Sequence, residues 1–322
     1  MAHHTEPLVF LAPMAGITDL PFRQTVQKFG ADLVTSEMVA SHDVVNARQG
    51  TREKAELGAD ADGTAVQLAG RDPYWIGEAA KQVQDMGARV IDINMGCPAK
   101  KVTGGQSGAA LMRDLDLAIS LVRSVVSVAH VPVTLKCRLG WDDDNLNAAE
   151  LARRAVDEGV TRITVHGRTR CQFYKGQADW AAIAKVVDAV SVPVIANGDI
   201  VSVEDARQAL AQSGAAGVMV GRGAQGCPWR LAEIKAALTD GQSPDIPEND
   251  DLAALVLDHY ERQLAFYGTE LGLRTGRKHL GWYMDWAGTV PDLRRDILTE
   301  RDPDRVIQLL PDAFSVEFRE AA

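Results

Sequence analysis

Cys97 is the side chain in this sequence best framed to react. It stands between Gly96 and Pro98, which restrict the backbone on both sides and let the thiol be aimed. Lys100 and Lys101 follow, and cations near a thiol lower its pKa or position an anion beside it. Lys136 is the second such residue, because it interrupts the apolar run Val133-Thr-Leu-Lys-Cys137. An ammonium in that setting needs an anionic partner, either an internal salt bridge or a bound group. Gln67 and His166 lie in comparable runs and read either as satisfied core residues or as members of one site. Gly221-Arg-Gly-Ala-Gln-Gly226 has G-x-G-x-x-G spacing. A dinucleotide-binding reading requires a further strand downstream, and an acidic linker follows instead. Its glycines, with Asn197-Gly198-Asp199, fit a phosphate cradle; two ligand-free helix-entry turns are the plainer alternative.

These residues share a setting. Apolar, β-branched runs recur at Leu8–Ala12, Asp32–Ser36, Thr64–Leu68, Val90–Asn94, Val131–Cys137, Arg162–His166, Val192–Asn197 and Ala216–Gly221. Near-continuous apolarity predicts strands buried on both faces, as in parallel sheets. Helical patterns lie between them, among them Pro73–Met86, Leu115–Ala129, Ala148–Glu158 and Val203–Gln212, with Asn147 and Ser202 suited as N-caps. The alternation predicts a (β/α)8 TIM barrel over residues 1–240, with an open doubly wound sheet as the alternative. In such a barrel the chemistry gathers where strands end. Pro13-Met14-Ala15, Gln67, Asn94, Lys136 with Arg138, His166 with Arg168, Asn197 and Gly221-Arg222 all stand at such ends. A polar, Gly- and Pro-rich linker over Thr239–Asp251 then leads to helical patterns at Leu252–Tyr267, Leu271–Trp286 and Asp304–Leu310. The tail, residues 245–322, is expected to be a small all-helical C-terminal domain.

Composition narrows the class. The 322 residues include 34 Lys+Arg against 44 Asp+Glu, a formal charge of -10. That excludes nonspecific coating of nucleic acid, which relies on surplus cations. Within residues 245–322 sixteen acids face nine Lys+Arg, yet Leu271–Met284 holds Arg274, Arg277, Lys278 and His279 with no acid. That stretch reads as a basic patch or as a solvated helix face. Four cysteines without C-x-x-C spacing fit neither a disulfide framework nor a zinc site. No basic leader or membrane span precedes Leu8, so a cytoplasmic protein is expected. The sequence does not fix the oligomeric state; a monomer is the expectation.

Several ordered motifs carry a resemblance: Ala12-Pro-Met-Ala-Gly-Ile-Thr-Asp-Leu-Pro-Phe-Arg23, Asp92-Ile-Asn-Met-Gly-Cys-Pro-Ala-Lys-Lys101, Lys136-Cys-Arg-Leu-Gly-Trp141, His166-Gly-Arg-Thr-Arg170, Ala196-Asn-Gly-Asp-Ile200 and Arg277-Lys-His-Leu-Gly-Trp-Tyr283. Over nearly the whole chain it resembles the tRNA-dihydrouridine synthases, nearest the bacterial B-type, NifR3-like branch. The resemblance implies an FMN-dependent barrel with a helical tRNA-binding domain, reducing the C5–C6 bond of D-loop uridines with NADPH as reductant, NADH not being excluded. It implies that Pro13, Met14 and Ala15 contact the flavin ring, Gln67 and Lys136 its polar edge, and that His166 lies near it. Asn197, Gly198, Asp199, Gly221 and Arg222 would hold the ribityl phosphate. Cys97 would give a proton to C5 after hydride passes from flavin N5 to C6. Asn94, Arg138 and Arg168 are expected at the base or adjacent backbone, and Arg274, Arg277 and Lys278 at the tRNA backbone, with Lys100, Lys101, Arg168, Arg170 and Lys175 extending the basic rim. A reductase of free pyrimidines and a tRNA-binding protein without catalysis are the alternatives. No metal is expected.

Overall fold

The computed structural model describes residues 6–46, 48, 54–58 and 63–315. The eight expected runs all form strands: β1 (Leu8–Leu11), β2 (Leu33–Thr35), β4 (Thr64–Ala69), β5 (Val90–Met95), β6 (Val133–Arg138), β7 (Arg162–His166), β8 (Val194–Asn197) and β9 (Gly217–Val220). A two-residue strand, β3 (Val39–Ala40), adds to the end of β4. Every ladder is parallel, in the order β2-β1-β9-β8-β7-β6-β5-β4. Pairing of Val34 with Thr64 and Thr35 with Ala65 closes the ring, so the sheet is a barrel and not an open doubly wound one.

Strand period sorts the side chains. Val9, Leu11, Val66, Leu68, Ile91, Ile93, Val133, Leu135, Ile163 and Val165 pack outward in one core with Ile76, Leu121 and Leu151 of the surrounding helices. The alternate positions face inward. Phe10, Leu33, Ala65, Ile195 and Met219 form an apolar plug at the N-terminal end of the strands. Toward the strands' C-terminal ends come Gln67, Asn94, Lys136, His166 and Asn197, with Asn94 opposite Lys136 and His166 opposite Asn197. Below Asn94, Lys136 and His166 on the same faces stand the buried polar residues Asp92, Thr134 and Thr164.

The helices begin where short polar side chains can accept the first free amides. Asp72 accepts from Tyr74 at 2.9 Å, Asp114 from Leu117 at 3.0 Å and Ser202 from Asp205 at 3.1 Å. Asn147 differs from the expectation: its amide donates to the Met112 carbonyl at 2.7 Å and makes no cap.

After residues 240–248, which carry no regular structure, the C-terminal region is helical: Asn249–Tyr267, Thr269–Ala287, Pro291–Thr299 and Pro303–Phe314. The third is a helix the sequence reading did not place; only Ile297 on it is buried, so its apolar stripe is too thin to show. These helices share an apolar cluster around Val256, Tyr260, Tyr283, Met284 and Phe314 that Cys227 and Trp229 join from the barrel side. Phe22 lies against the rings of His259 and His279, and Arg262 donates to the Pro21 carbonyl and Thr25 hydroxyl. Gly226, at φ +72°, is a further contact, since a Cβ there would sit 2.4 Å from the Trp282 carbonyl oxygen. The last glycine of the G-x-G-x-x-G motif thus serves helix docking. Among the described residues no helix is long and apolar enough to cross a membrane.

Candidate functional site

The strands' C-terminal ends open into a cavity of about 450 Å³, within the range of small-molecule sites. Its walls bring together Pro13, Met14, Ala15, Gln67, Asn94, Cys97, Lys136, Arg138, His166, Asn197, Gly198, Asp199, Gly221 and Arg222. Arg168, Arg274, Arg277 and Lys278 are not in that wall. Met38, at a strand end, lines it as well, and so do Phe173 and Tyr174, which were missed from the sequence because they sit on a connecting loop outside any strand pattern.

Lys136 has one hydrogen bond among the described residues, to Asn197 Oδ1 at 2.8 Å. The Asn197 amide nitrogen donates to the Met219 carbonyl at 2.8 Å, which fixes which end of that side chain meets the lysine. Among the described residues no carboxylate caps the ammonium directly, so none of them makes the internal salt bridge weighed from the sequence. Burial, reinforced by Arg138, pulls Lys136 down to about 8, while Asp92 and the two thiols Cys137 and Cys97 pull the other way. Its remaining donors are available to an anionic or carbonyl group in the cavity.

His166 is held well below its ordinary pKa, first by burial and then by Lys136, Arg138, Arg168 and Arg222. It is a neutral imidazole, able to accept or donate without adding charge. Gly198, at φ +116°, passes so near the ring that a Cβ would lie 3.0 Å from His166 Cδ2. Only glycine combines that backbone conformation with that approach.

The arginines divide by role. Arg138 is 1% exposed and donates to the carbonyls of Gly96, Thr169 and Phe173 at 2.8–2.9 Å, pinning the Cys97 loop to the loop that carries Tyr174. Arg168, also 1% exposed, meets Asp199 with two nitrogens, at 2.9 and 2.5 Å, and donates to the Lys175 and Gly176 carbonyls. The expected base contact is therefore corrected: Arg168 has its donors engaged inside the protein. Arg222, its side chain 56% exposed, pairs at 3.1 Å with Asp199 Oδ1, the oxygen that also accepts from Arg168 Nη1. Burial tends to raise the Asp199 carboxyl, but hydrogen bonds from Arg168 and Ala178 with the two arginine charges bring it below its usual range. A carboxylate so engaged organises Arg222 rather than touching a phosphate.

Cys97 is half-buried at the cavity wall. Its amide and that of Gly96 donate to Asn94 Oδ1 at 3.0 and 3.2 Å, and its carbonyl accepts from Ala109 at 3.1 Å. Asn94 therefore shapes the loop. Cys137 is packed, as its place in a strand implied, and burial pushes its thiol up to about 12. Cys227 is buried in the helical cluster and Cys171 is exposed.

The basic stretch of the tail is less open than its sequence suggests. Arg274 is exposed. Arg277 donates to the Glu300 carbonyl at 2.7 Å. The Lys278 ammonium donates to the Gly16 carbonyl, and the Gly16 amide donates to the buried Glu37 carboxylate. His279 is 1% exposed and sits beside His259 and Phe22, so it is corrected from the patch to the packing seam. On the rim, Lys100, Lys101 and Lys175 are exposed, while Arg170 stacks over Trp141 and Phe173.

Comparison with known proteins agrees with this geometry. A family profile described as "Dihydrouridine synthase (Dus)" matches residues 10–318. The chain is 59% identical over 318 residues to a "Probable tRNA-dihydrouridine synthase" of Rhodobacter capsulatus, covering 98% of this chain and 97% of that one. It is 43% identical over 308 residues to "tRNA-dihydrouridine synthase B" of Xanthomonas axonopodis pv. citri, covering 96% and 93%. Among solved structures, histamine dehydrogenase from Rhizobium sp. 4-9 aligns with a TM-score of 0.53 at 12% identity over 79% of this chain and 48% of that chain, a likeness of fold alone. A closed parallel barrel, a thiol and a lysine at its mouth and a family match over nearly all of the chain lead to one assignment: the protein belongs to the dihydrouridine synthase family of enzymes.

Proposed function

We propose that this protein is an FMN-dependent tRNA-dihydrouridine synthase that reduces the C5–C6 bond of uridine in the tRNA D-loop. The observation that carries the reading is the pairing, in one cavity, of a loop-held thiol, Cys97, with a buried ammonium, Lys136, whose one hydrogen bond among the described residues is to a neutral amide. A flavin fits these residues. An uncapped cation suits an anionic ring edge, the apolar side chains of Pro13 and Met14 suit a ring face, and the glycine at 221 leaves space for a chain to pass.

Pro13, Met14, Ala15, Gln67 and Lys136 would hold the ring system, with His166 beside it. Asn197, Gly198 and Gly221 would hold the ribityl phosphate, and Arg222, steadied by Asp199, would supply its charge partner. When bound, FMN reduced by NADPH supplies hydride to uracil C6. The protein does the rest. A base reaches the barrel mouth only after leaving its stack. Arg138 and Asn94 keep the Cys97 loop in place beside it, and the Cys97 thiol delivers the proton to C5. Residues 1–240 act as the catalytic unit and 245–322 as the tRNA-binding unit, with Arg274 facing the backbone while Arg277 and Lys278 hold the Glu300 and Gly16 carbonyls. The enzyme works as a monomer.

Purified protein is expected to be yellow. Cys97→Ala should keep the colour and NADPH oxidation while product formation on tRNA falls by about 10²–10⁴-fold, the range for losing a general acid. A normal rate of uridine reduction by Cys97→Ala would remove the thiol from the mechanism.

A further inference from the structure

Asp92 lies inside the barrel, 4% exposed and two residues before Asn94 on the same strand. Its carboxylate accepts from Thr134 Oγ1 at 2.6 Å and from Gln67 Nε2 at 2.7 Å. Gln67 Oε1 in turn accepts from Asn94 Nδ2 at 2.7 Å. Asn94 Oδ1 then receives the amides of Gly96 and Cys97. All three side chains are buried.

This chain has a direction, and chemistry sets it. A carboxylate only accepts, whereas a carboxamide donates at one end and accepts at the other. Asp92 compels Gln67 to turn its nitrogen toward it. Gln67 is left with its oxygen facing Asn94, which must answer with its nitrogen. Asn94 is then left with its oxygen facing the loop, the one orientation that can receive the Cys97 amide. Thr134 cannot set the direction, because a hydroxyl serves at either end. Turning any amide over would place two oxygens or two nitrogens together in a buried site and leave each of them unpaired.

We propose that Asp92 is a positioning residue for Cys97, fixing the orientation of Gln67 and Asn94 and through them the loop that carries the thiol. Its consequence for proton delivery rests on the function proposed above; the relay itself does not.

The test exploits the direction. Asp92→Asn removes the group that sets it, since a carboxamide presents either end to Gln67. Asn94→Asp creates a conflict, with an acceptor facing Gln67 Oε1 and a second carboxylate still at position 92. The double variant Asp92→Asn/Asn94→Asp keeps both charge and atom count but reverses the chain. The carboxylate then stands at position 94 and accepts from both Gln67 and the loop amides.

The readout is the rate at which iodoacetamide alkylates Cys97 in the purified holoenzyme, followed on the Cys97 peptide, beside product formation on tRNA. Asn94→Asp should speed alkylation about fivefold, and Asp92→Asn less, because the new amide can still turn its oxygen to Gln67 and its nitrogen to the Thr134 hydroxyl. The double should return the rate to within about twofold of the unaltered protein, because every buried donor is again paired. Alkylation in the double variant as fast as in Asn94→Asp, or unchanged in all three, overturns the relay. Should Asp92→Asn alone not fold, Asn94→Asp against the double variant makes the same comparison. Restored alkylation without restored product formation keeps the relay and counts against Cys97 as proton donor or against Asn94 being replaceable at the base.

Discussion

Two groups of cations, one at the barrel mouth and one on the helix Thr269–Ala287, look alike in sequence and are used differently. At the mouth, Arg138 and Arg168 are buried, with their donors on carbonyls and on Asp199, and Lys136 and Arg222 keep donors free for a ligand. On the helix the order is reversed. Arg277 and Lys278 reach carbonyls of Glu300 and Gly16, His279 is buried, and Arg274 is the exposed base. The mouth thus carries scaffold cations behind ligand cations, whereas the helix uses most of its bases to fasten itself to its surroundings. Charge counts from sequence do not distinguish these uses; what matters is which oxygen each donor has already met.

The largest effect that sharpens this contrast is expected at Arg168. Arg168→Leu leaves Asp199 short of its main partner and two loop carbonyls without their donor, and breaking a buried pair costs about 3–5 kcal/mol. A drop of that size in denaturant unfolding free energy, with loss of cofactor retention, is expected. A change under about 1 kcal/mol, as for exposed pairs, would place Arg168 among the ligand cations instead.

The seam offers an intermediate effect with a defined sign. Burial holds His259 down to about 3, with Arg262 and Lys28 adding to it, and holds His279 well below 6.5. Both are neutral when folded and protonate near 6.5 when unfolded, so the unfolded chain binds more protons below that pH. Stability then falls as pH drops, by about 1.4 kcal/mol per pH unit for each histidine. Asp19 alongside, raised by burial, works in the opposite direction above its ordinary carboxyl range. Melting temperature should decline from pH 7 to 5, and His279→Gln should flatten that decline. A slope unchanged by the substitution would show that His279 does not stay neutral in the fold.

Arg274→Ala should give the smallest change. Binding of tRNA should weaken, and the slope of log K against log salt should shrink by about 0.7–0.9, the value for one phosphate contact, with melting temperature unaltered. If Arg274→Ala leaves tRNA affinity and its salt slope untouched, the RNA lies on another face, and the rim lysines Lys100, Lys101 and Lys175 become the next to replace.

The barrel was legible because eight buried runs were separated by helical patterns, and period two inside those runs already aligned Gln67, Asn94, Lys136, His166 and Asn197 on one face. The same alternation includes Asp92, two residues before Asn94, and reading it would have found the relay. What stayed illegible depends on meetings between distant segments. Arg168 resembles any strand-end arginine until Asp199 turns toward it from the next loop. Gly226 completes a phosphate-loop motif on paper and serves helix docking in three dimensions. Lys278 reads as a phosphate contact until the Gly16 carbonyl is found beneath it.

The central claim is that the cavity brings uridine of tRNA to the Cys97 thiol. Its most direct test is incubation of the purified protein with NADPH and tRNA lacking dihydrouridine, followed by mapping of reduced positions. Dihydrouridine confined to the D-loop, abolished by Cys97→Ala while NADPH oxidation continues, is the expected result. NADPH oxidation with no dihydrouridine in any tRNA, or formation at full rate without the thiol, would contradict it.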